Sequence, residues 1–141
     1  MTLTDFVNMN VNDKVDYDKA YGVHCVDLFR QYVKDVLCYP HHTGVCATSG
    51  GAKDLYLDYE KMPKEKEVFT RIKTRAPRPG DVCVWDGTKT NPYGHVAICL
   101  GVSKDKIIVF EQDGYKQNGA KVMIRSSVNM LGVLRPKKEV L

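Results

Sequence analysis

The sequence predicts an α+β domain in which N-terminal helices pack on a C-terminal antiparallel β-sheet. Two observations carry this expectation. Before Pro63 the apolar residues recur with helical spacing. After it they come as short runs rich in β-branched residues, VFTRI, DVCVW, HVAICLGV, KIIVFEQ, AKVMIR and LGVLRP, separated by Gly, Pro, Asn or Asp turns. Helices in one block followed by strands in another is the α+β order. A chain of 141 residues is the size of one domain and buries a core without staples, so residues 1–141 are read as a single unit.

The first helix is expected over residues 3–10, with Leu3, Phe6, Val7 and Met9 on its apolar side. A loop runs from Asn12 to Gly22. From Cys25 to Leu37 the positions Val26, Leu28, Phe29, Tyr32, Val33, Val36 and Leu37 keep helical spacing, which puts Cys25 at a helix N-terminus. A second helix is expected over Ala52 to Tyr59, after the SGG turn, and the six strands follow.

Composition narrows the function classes. Hydrophobic residues make up 43% and charged residues 27%, ordinary globular values. No apolar run approaches the roughly 18 residues of a membrane span, so no membrane partner is expected. Lys and Arg outnumber Asp and Glu by 21 to 17. The basic residues are scattered, as in KMPKEKEVFTRIKTRAPR, which reads as a solvated connector and predicts no nucleic-acid partner. The N-terminus MTLTDFVNMNVNDK has no secretory signal pattern.

Five cysteines, an odd count without a signal peptide, point to reduced thiols. Cys83 and Cys99 sit in apolar runs and read as buried small hydrophobes. The cluster CYPHHTGVC could be drawn as a zinc site of Cys38, His41, His42 and Cys46, but it has no second arm to complete a tetrahedral cage.

Cys25 is different. Cysteine hydrolases need a thiolate at neutral pH, a form that the unpaired N–H groups of a helix N-terminus favour. They also need a general base on a separate rigid element, and His95 opens a strand directly after the turn NPYG. A base needs a partner that fixes its tautomer. Glu111 and Asp113 lie at the end of the next strand, where a hairpin of strand 95–102 with strand 106–112 brings them beside His95. Taken singly, each of these residues has a duller reading as packing, surface polarity or a sheet-edge charge; the combination is what points to a site.

In this order the motifs resemble the CHAP family, the cysteine- and histidine-dependent amidohydrolases and peptidases. YGVHCVDLFRQYV resembles its nucleophile helix, PRPGDVCVW its Pro-x-x-Gly-Asp strand, YGHVAICLGV its histidine strand, and VFEQDG and LGVLRP its acidic turn and closing strand. The resemblance implies a papain-like fold and hydrolysis of amide bonds in bacterial peptidoglycan. It further implies Cys25 as nucleophile, His95 as base and later acid, and Glu111 as the orienting acid. Asp113 falls where many members carry Asn, and His24 where members commonly carry Gln as a candidate oxyanion donor. The His24 imidazole could donate similarly, or the oxyanion could rest on backbone N–H groups alone. Trp85, Tyr93 and Phe110 lie near the motifs, either lining a groove for peptide stems or capping the core at the sheet rim.

The stretch DYDKAYGVHCVD surrounds the candidate thiol with aspartates. With Asp16 as loop position 1, Asp18 falls at 3, Ala20 at 5, Gly22 at 7 and Asp27 at 12, the alternating register in which an EF-hand-like loop directs oxygens at calcium. Tyr21 stands where an EF-hand has Gly, and Asp27 is shorter than the usual Glu. Some members of the resembled family bind calcium at such a loop, which implies Asp16, Asp18 and Asp27 side chains with Ala20 and Gly22 carbonyls as ligands. The alternative is an Asx-turn followed by a charged first helical turn.

The function expected is that of a peptidoglycan hydrolase of phage endolysin type, an endopeptidase or N-acetylmuramoyl-L-alanine amidase. It would be held in the infected cytoplasm before release to the wall, with any wall-binding domain or subunit outside this chain. A virion-associated lysin, another papain-like hydrolase, or a non-catalytic wall or tail module are the rivals.

Overall fold

A computed structural model describes residues 1–17, 19, 22, 24–39 and 51–141. Helix α1 spans Leu3–Asn10 and begins with a reciprocal cap: Asp5 N donates to Thr2 Oγ1 and Thr2 N to Asp5 Oδ2, each at 3.2 Å. The helix buries Leu3 and Phe6, and the Phe6 ring meets Tyr32 and Phe110 edge-on at 5.5 and 6.0 Å. Met9, expected on the apolar side, is exposed.

Helix α2 spans Cys25–Asp35 and buries Leu28, Phe29, Tyr32 and Val33. It stops short of the expected Leu37, and Cys38 just beyond takes a left-handed φ of 54° that a helix does not continue through. Instead of one helix over 52–59 there is a single turn α3, Asp54–Leu57, then a 3₁₀ turn, Tyr59–Lys61. A further helix, α4, covers Pro63–Val68, where the sequence reading placed a connector. Its signal was there: Pro63 at the first helical position presets φ, and Lys and Glu follow it.

The strands are β1 Phe69–Ile72, β2 Val82–Trp85, β3 His95–Ser103, β4 Lys106–Glu111, β5 Lys121–Ser126 and β6 Met130–Pro136. They form one sheet in the order β1-β6-β2-β3-β4-β5, and every neighbouring pair is antiparallel. The order conflicts with the length of one connection. β5 and β6 are separated by β2, β3 and β4, about 19 Å across a flat sheet. Ser127 to Asn129 alone join them, and four Cα steps reach about 15 Å at most. The sheet therefore curls. Across the curl the Trp85 indole N–H donates to Ser126 O at 3.0 Å, tying β2 to the end of β5.

Curling gives the sheet two cores. On the helix side Val82, Val84, Val96, Ile98, Phe110 and Leu134 join the cores of α1 and α2. Inside the curl Cys83, Trp85, Ala97, Cys99, Ile107, Val109, Met130 and Val133 form a second cluster. Cys83 and Cys99 are thus buried as expected, their thiols hydrogen bonded to each other. No described helix is long and apolar enough to cross a membrane.

The PRPGD segment anchors the sheet to α2. Gly80, at a φ of 94°, donates to Cys99 O at 2.8 Å and accepts from the Tyr32 hydroxyl at 2.9 Å. A Cβ on Gly80 would lie 2.4 Å from Val140 Cγ2, so both the space and the φ require glycine. The buried Asp81 accepts from Arg78 N at 2.9 Å and from both arms of the Arg135 fork at 2.9 and 2.8 Å. Arg135→Met would leave that carboxylate buried with its main cation gone. The substitution should cost about 2–3 kcal/mol in urea unfolding, the lower range for a buried pair because Arg135 itself is partly solvated. A loss below about 0.5 kcal/mol would show that water replaces the guanidinium freely.

Candidate active site

Three elements converge at one end of the curl. The N-terminus of α2 presents Cys25, half-buried; the first residue of β3 presents His95; the last residue of β4 presents Glu111, buried. The turn before β3 sets the entry of His95: Asn91 Nδ2 donates to Gly94 O at 2.9 Å, and Gly94 takes a φ of 78° with its Cα face against Trp85 O.

The Cys25 thiol hydrogen bonds with the His95 ring. His95 Nε2 lies 3.2 Å from Glu111 Oε1. This is a close ion-pair contact without an aligned hydrogen bond, because Nε2 has no partner in line. The carboxylate is already engaged: Arg125 Nε donates to Glu111 Oε1 and Nη2 to Oε2, the latter at 2.7 Å. The Trp85 ring lies behind His95, tilted at 43° to it, with ring centroids 5.9 Å apart.

Opposing effects act on both charges. Burial works against the ionised Glu111, but the Arg125 fork and then His95 outweigh it and hold the carboxyl at about 2, below its ordinary 4.5. Burial likewise works against a charged His95, but the Cys25 sulfur and the Glu111 carboxylate beside it win and raise the imidazole to about 9 from 6.5. Near neutrality His95 is therefore an imidazolium, set between the Cys25 sulfur and the Glu111 carboxylate.

Arg125 was not foreseen. In AKVMIR it reads as one charge ending an exposed strand, yet the register Ile107↔Arg125 sets it on the same face as Ile107, Val109 and Glu111. Asp113, expected beside His95 with Glu111, turns elsewhere: its Oδ1 accepts from Tyr115 N at 2.8 Å and Lys116 N at 3.3 Å and closes the turn after β4.

A cavity of about 560 Å³ opens over the site, lined by Cys25 and His95 with His24, Tyr93, Asp113 and Tyr115 among its walls. Tyr93 is 60% exposed at its rim. Trp85, expected along a groove, is 7% exposed and supports His95 from behind instead of lining the cavity. Phe110 belongs to the helix-side core. His24 precedes α2, and its ring lies over Gly114, where a Cβ would come within 2.4 Å of Nδ1.

Of the expected calcium ligands, Asp18 and Ala20 lie outside the described residues, as do His41, His42 and Cys46 of the zinc alternative. Asp27 is buried and accepts from His24 N at 3.0 Å, and Gly22, at a φ of 82°, faces the Gln117 side chain. Asp16 Oδ1 is a buried carboxylate oxygen with no hydrogen-bond donor. Such an oxygen is what a hard cation satisfies, so Asp16 is the described residue that suits calcium. Among the described residues no three His, Cys, Asp or Glu side chains cluster as a metal site.

The paired charges set two pH limits on stability. Because the folded Glu111 carboxyl is depressed, its contribution is present above about 4.5 and is lost as pH falls toward about 2. Because the folded His95 is raised, its contribution is present below about 6.5 and is lost as pH rises through about 9. Glu111→Gln should weaken both limbs in a plot of Tm against pH. A curve parallel to that of the unaltered protein across the range would contradict the assigned charges.

The CHAP domain family matches residues 12–113. Among characterised proteins, the endolysin PlyTW of Staphylococcus phage Twort is 30% identical over 93 residues, 66% of this chain and 18% of that protein. Among solved structures, the wild-type endolysin LysIME-EF1 superposes with a TM-score of 0.71 at 23% identity, covering 99% of this chain and 66% of that one. Ly7917 does so with a TM-score of 0.70 at 19% identity, covering 94% and 60%. This chain thus spans about a fifth of the length of PlyTW and under two thirds of either solved structure. With the family matched across most of its length, and with the helix, histidine strand and acidic turn in that family's order, the chain belongs to the CHAP domain family.

Proposed function

We propose that this domain is a cysteine-dependent peptidoglycan hydrolase of endolysin type, cleaving an amide bond as an endopeptidase or N-acetylmuramoyl-L-alanine amidase. The observation that carries the reading is the meeting of Cys25 and His95 in the wall of one open cavity, with the buried Glu111 against His95. The endolysin relatives support the substrate class. In their setting the enzyme would wait in an infected cytoplasm and act on the wall after release, with wall-targeting residues lying outside this chain.

The chemistry follows from the geometry. The Cys25 sulfur, its proton held on His95, attacks the amide carbonyl carbon and forms a tetrahedral oxyanion. N–H groups in the first turn of α2 face that charge, with the His24 imidazole beside them. His95 then gives its proton to the leaving amine, and a thioester remains on Cys25. Water attacks the thioester as His95 takes its proton, releasing the new carboxylate and the thiol. Glu111, fixed by Arg125, keeps His95 turned and stabilises its charged form whenever the ring holds the proton. Calcium, if held by Asp16, Asp18 and Asp27 with the Ala20 and Gly22 carbonyls, would supply positive charge that offsets the carboxylates crowding the start of α2.

Clearing of purified cell walls tests the roles. Cys25→Ala should abolish clearing with the fold retained, since a half-exposed thiol leaves no large cavity. His95→Ala should lower turnover by about 10²–10⁴-fold and Glu111→Gln by less. Full clearing by Cys25→Ala would overturn the reading.

The metal has its own readout, independent of turnover. In Cys25→Ala, a chelator should lower the Tm and calcium restore it, with magnesium restoring less because its rigid octahedral shell fits such a loop poorly. An identical Tm with and without chelator would return the aspartates to the role of a turn and a helix cap.

A further inference from the structure

Gln112 is fully buried and lies beside the site without touching the cavity. Its Oε1 accepts from Val15 N at 2.7 Å, and its Nε2 donates to Val15 O and to His24 O, both at 2.9 Å. Both amide hydrogens are used. The set also fixes which way the amide points, since a reversed amide would face two carbonyls with an oxygen.

These bonds join parts of the molecule that are remote in sequence. Glu111 and Gln112 are adjacent, so one side chain turns toward His95 while the next turns to the opposite face, toward the start of α2. His24, whose carbonyl Gln112 holds, is bonded directly to Cys25. The segment before α2 is held at the end of β4 and the start of β5: Asn12 N donates to Ala120 O at 2.7 Å, Ala120 N to Asp13 O at 2.8 Å, and Val15 exchanges both backbone groups with the Gln112 amide. The amide acts as an extra rung of a ladder between that segment and the end of β4.

We infer that Gln112 is a positioning residue that sets the spacing of Cys25 and His95 by bonding the nucleophile's preceding carbonyl to the strand end that holds Glu111. The inference rests on the proposed roles of those three residues. Loss of the amide frees the start of α2 to shift relative to β3 and β4. A displacement near 1 Å at a reacting pair costs about a hundredfold in rate.

The test reads Cys25 directly. Iodoacetamide labelling of Cys25, followed by peptide mass mapping over a range of pH, reports whether His95 still assists the thiol. Gln112→Met fills the volume without polar groups, and Gln112→Asn keeps an amide but withdraws it by one methylene. In either variant, shown folded by circular dichroism, labelling at neutral pH should slow about tenfold or more and its pH profile should move to that of an unassisted thiol. Wall clearing should then fall in kcat by about ten- to a hundredfold with little change in KM. Folded variants with the unaltered labelling profile would overturn the inference. So would failure of both variants to fold, which would make Gln112 a stability element alone. Clearing by Cys25→Ala would overturn the catalytic roles instead, and the labelling profiles would still decide whether Gln112 sets the spacing.

Discussion

The three residues between β5 and β6 impose the constraint on which the rest of the structure depends. They are too few to cross a flat sheet whose order puts three strands between those neighbours in sequence. Curling brings the end of β5 over β2, where Ser126 O meets the Trp85 indole. Arg125 reaches Glu111 from the neighbouring strand β5, on the face that the curl encloses. Had the connection been long, the Trp85 indole and the end of β5 would stand far apart, although the ring would still lie beside His95, its direct partner across β2 and β3.

What the paired strands β5, β4 and β3 assemble is an alternation of charge, Arg125, Glu111 and His95, with the Cys25 sulfur at its outer end. A buried carboxylate is costly, and one cation beside it would form a plain ion pair. Two cations sharing it do more. The fork from Arg125 keeps Glu111 ionised, and the ionised Glu111 keeps His95 protonated despite its burial. Arg125 thus acts on the thiol at third hand, through groups that lie in the site.

Much of this was legible in the sequence. Helical spacing located α1 and α2, and alternation and turn residues located the six strands, because those signals are local. The pairing of β3 with β4 placed Glu111 near His95 for the same reason: a hairpin is read from neighbours. What was not legible depended on strands distant in sequence. Nothing in AKVMIR says that β5 folds over β2, so Arg125 was not picked out, and Trp85 stood open between a groove wall and a cap on the core. Asp113 looked equivalent to Glu111 because one residue of spacing does not reveal that its carboxylate closes the following turn. Helix α4 was missed for a local reason, since six residues are too short for periodicity to outweigh a charged, connector-like composition.

The central proposal is that Cys25 at the start of α2, with His95 and Glu111 on the paired strands β3 and β4, hydrolyses an amide in the bacterial wall. Mass spectrometry of purified peptidoglycan after digestion tests it most directly, because the new chain ends identify the broken bond. Paired new amine and carboxylate ends, produced by the unaltered protein and absent with Cys25→Ala, are the predicted result. New reducing sugar ends, or the same fragments from Cys25→Ala, would contradict it.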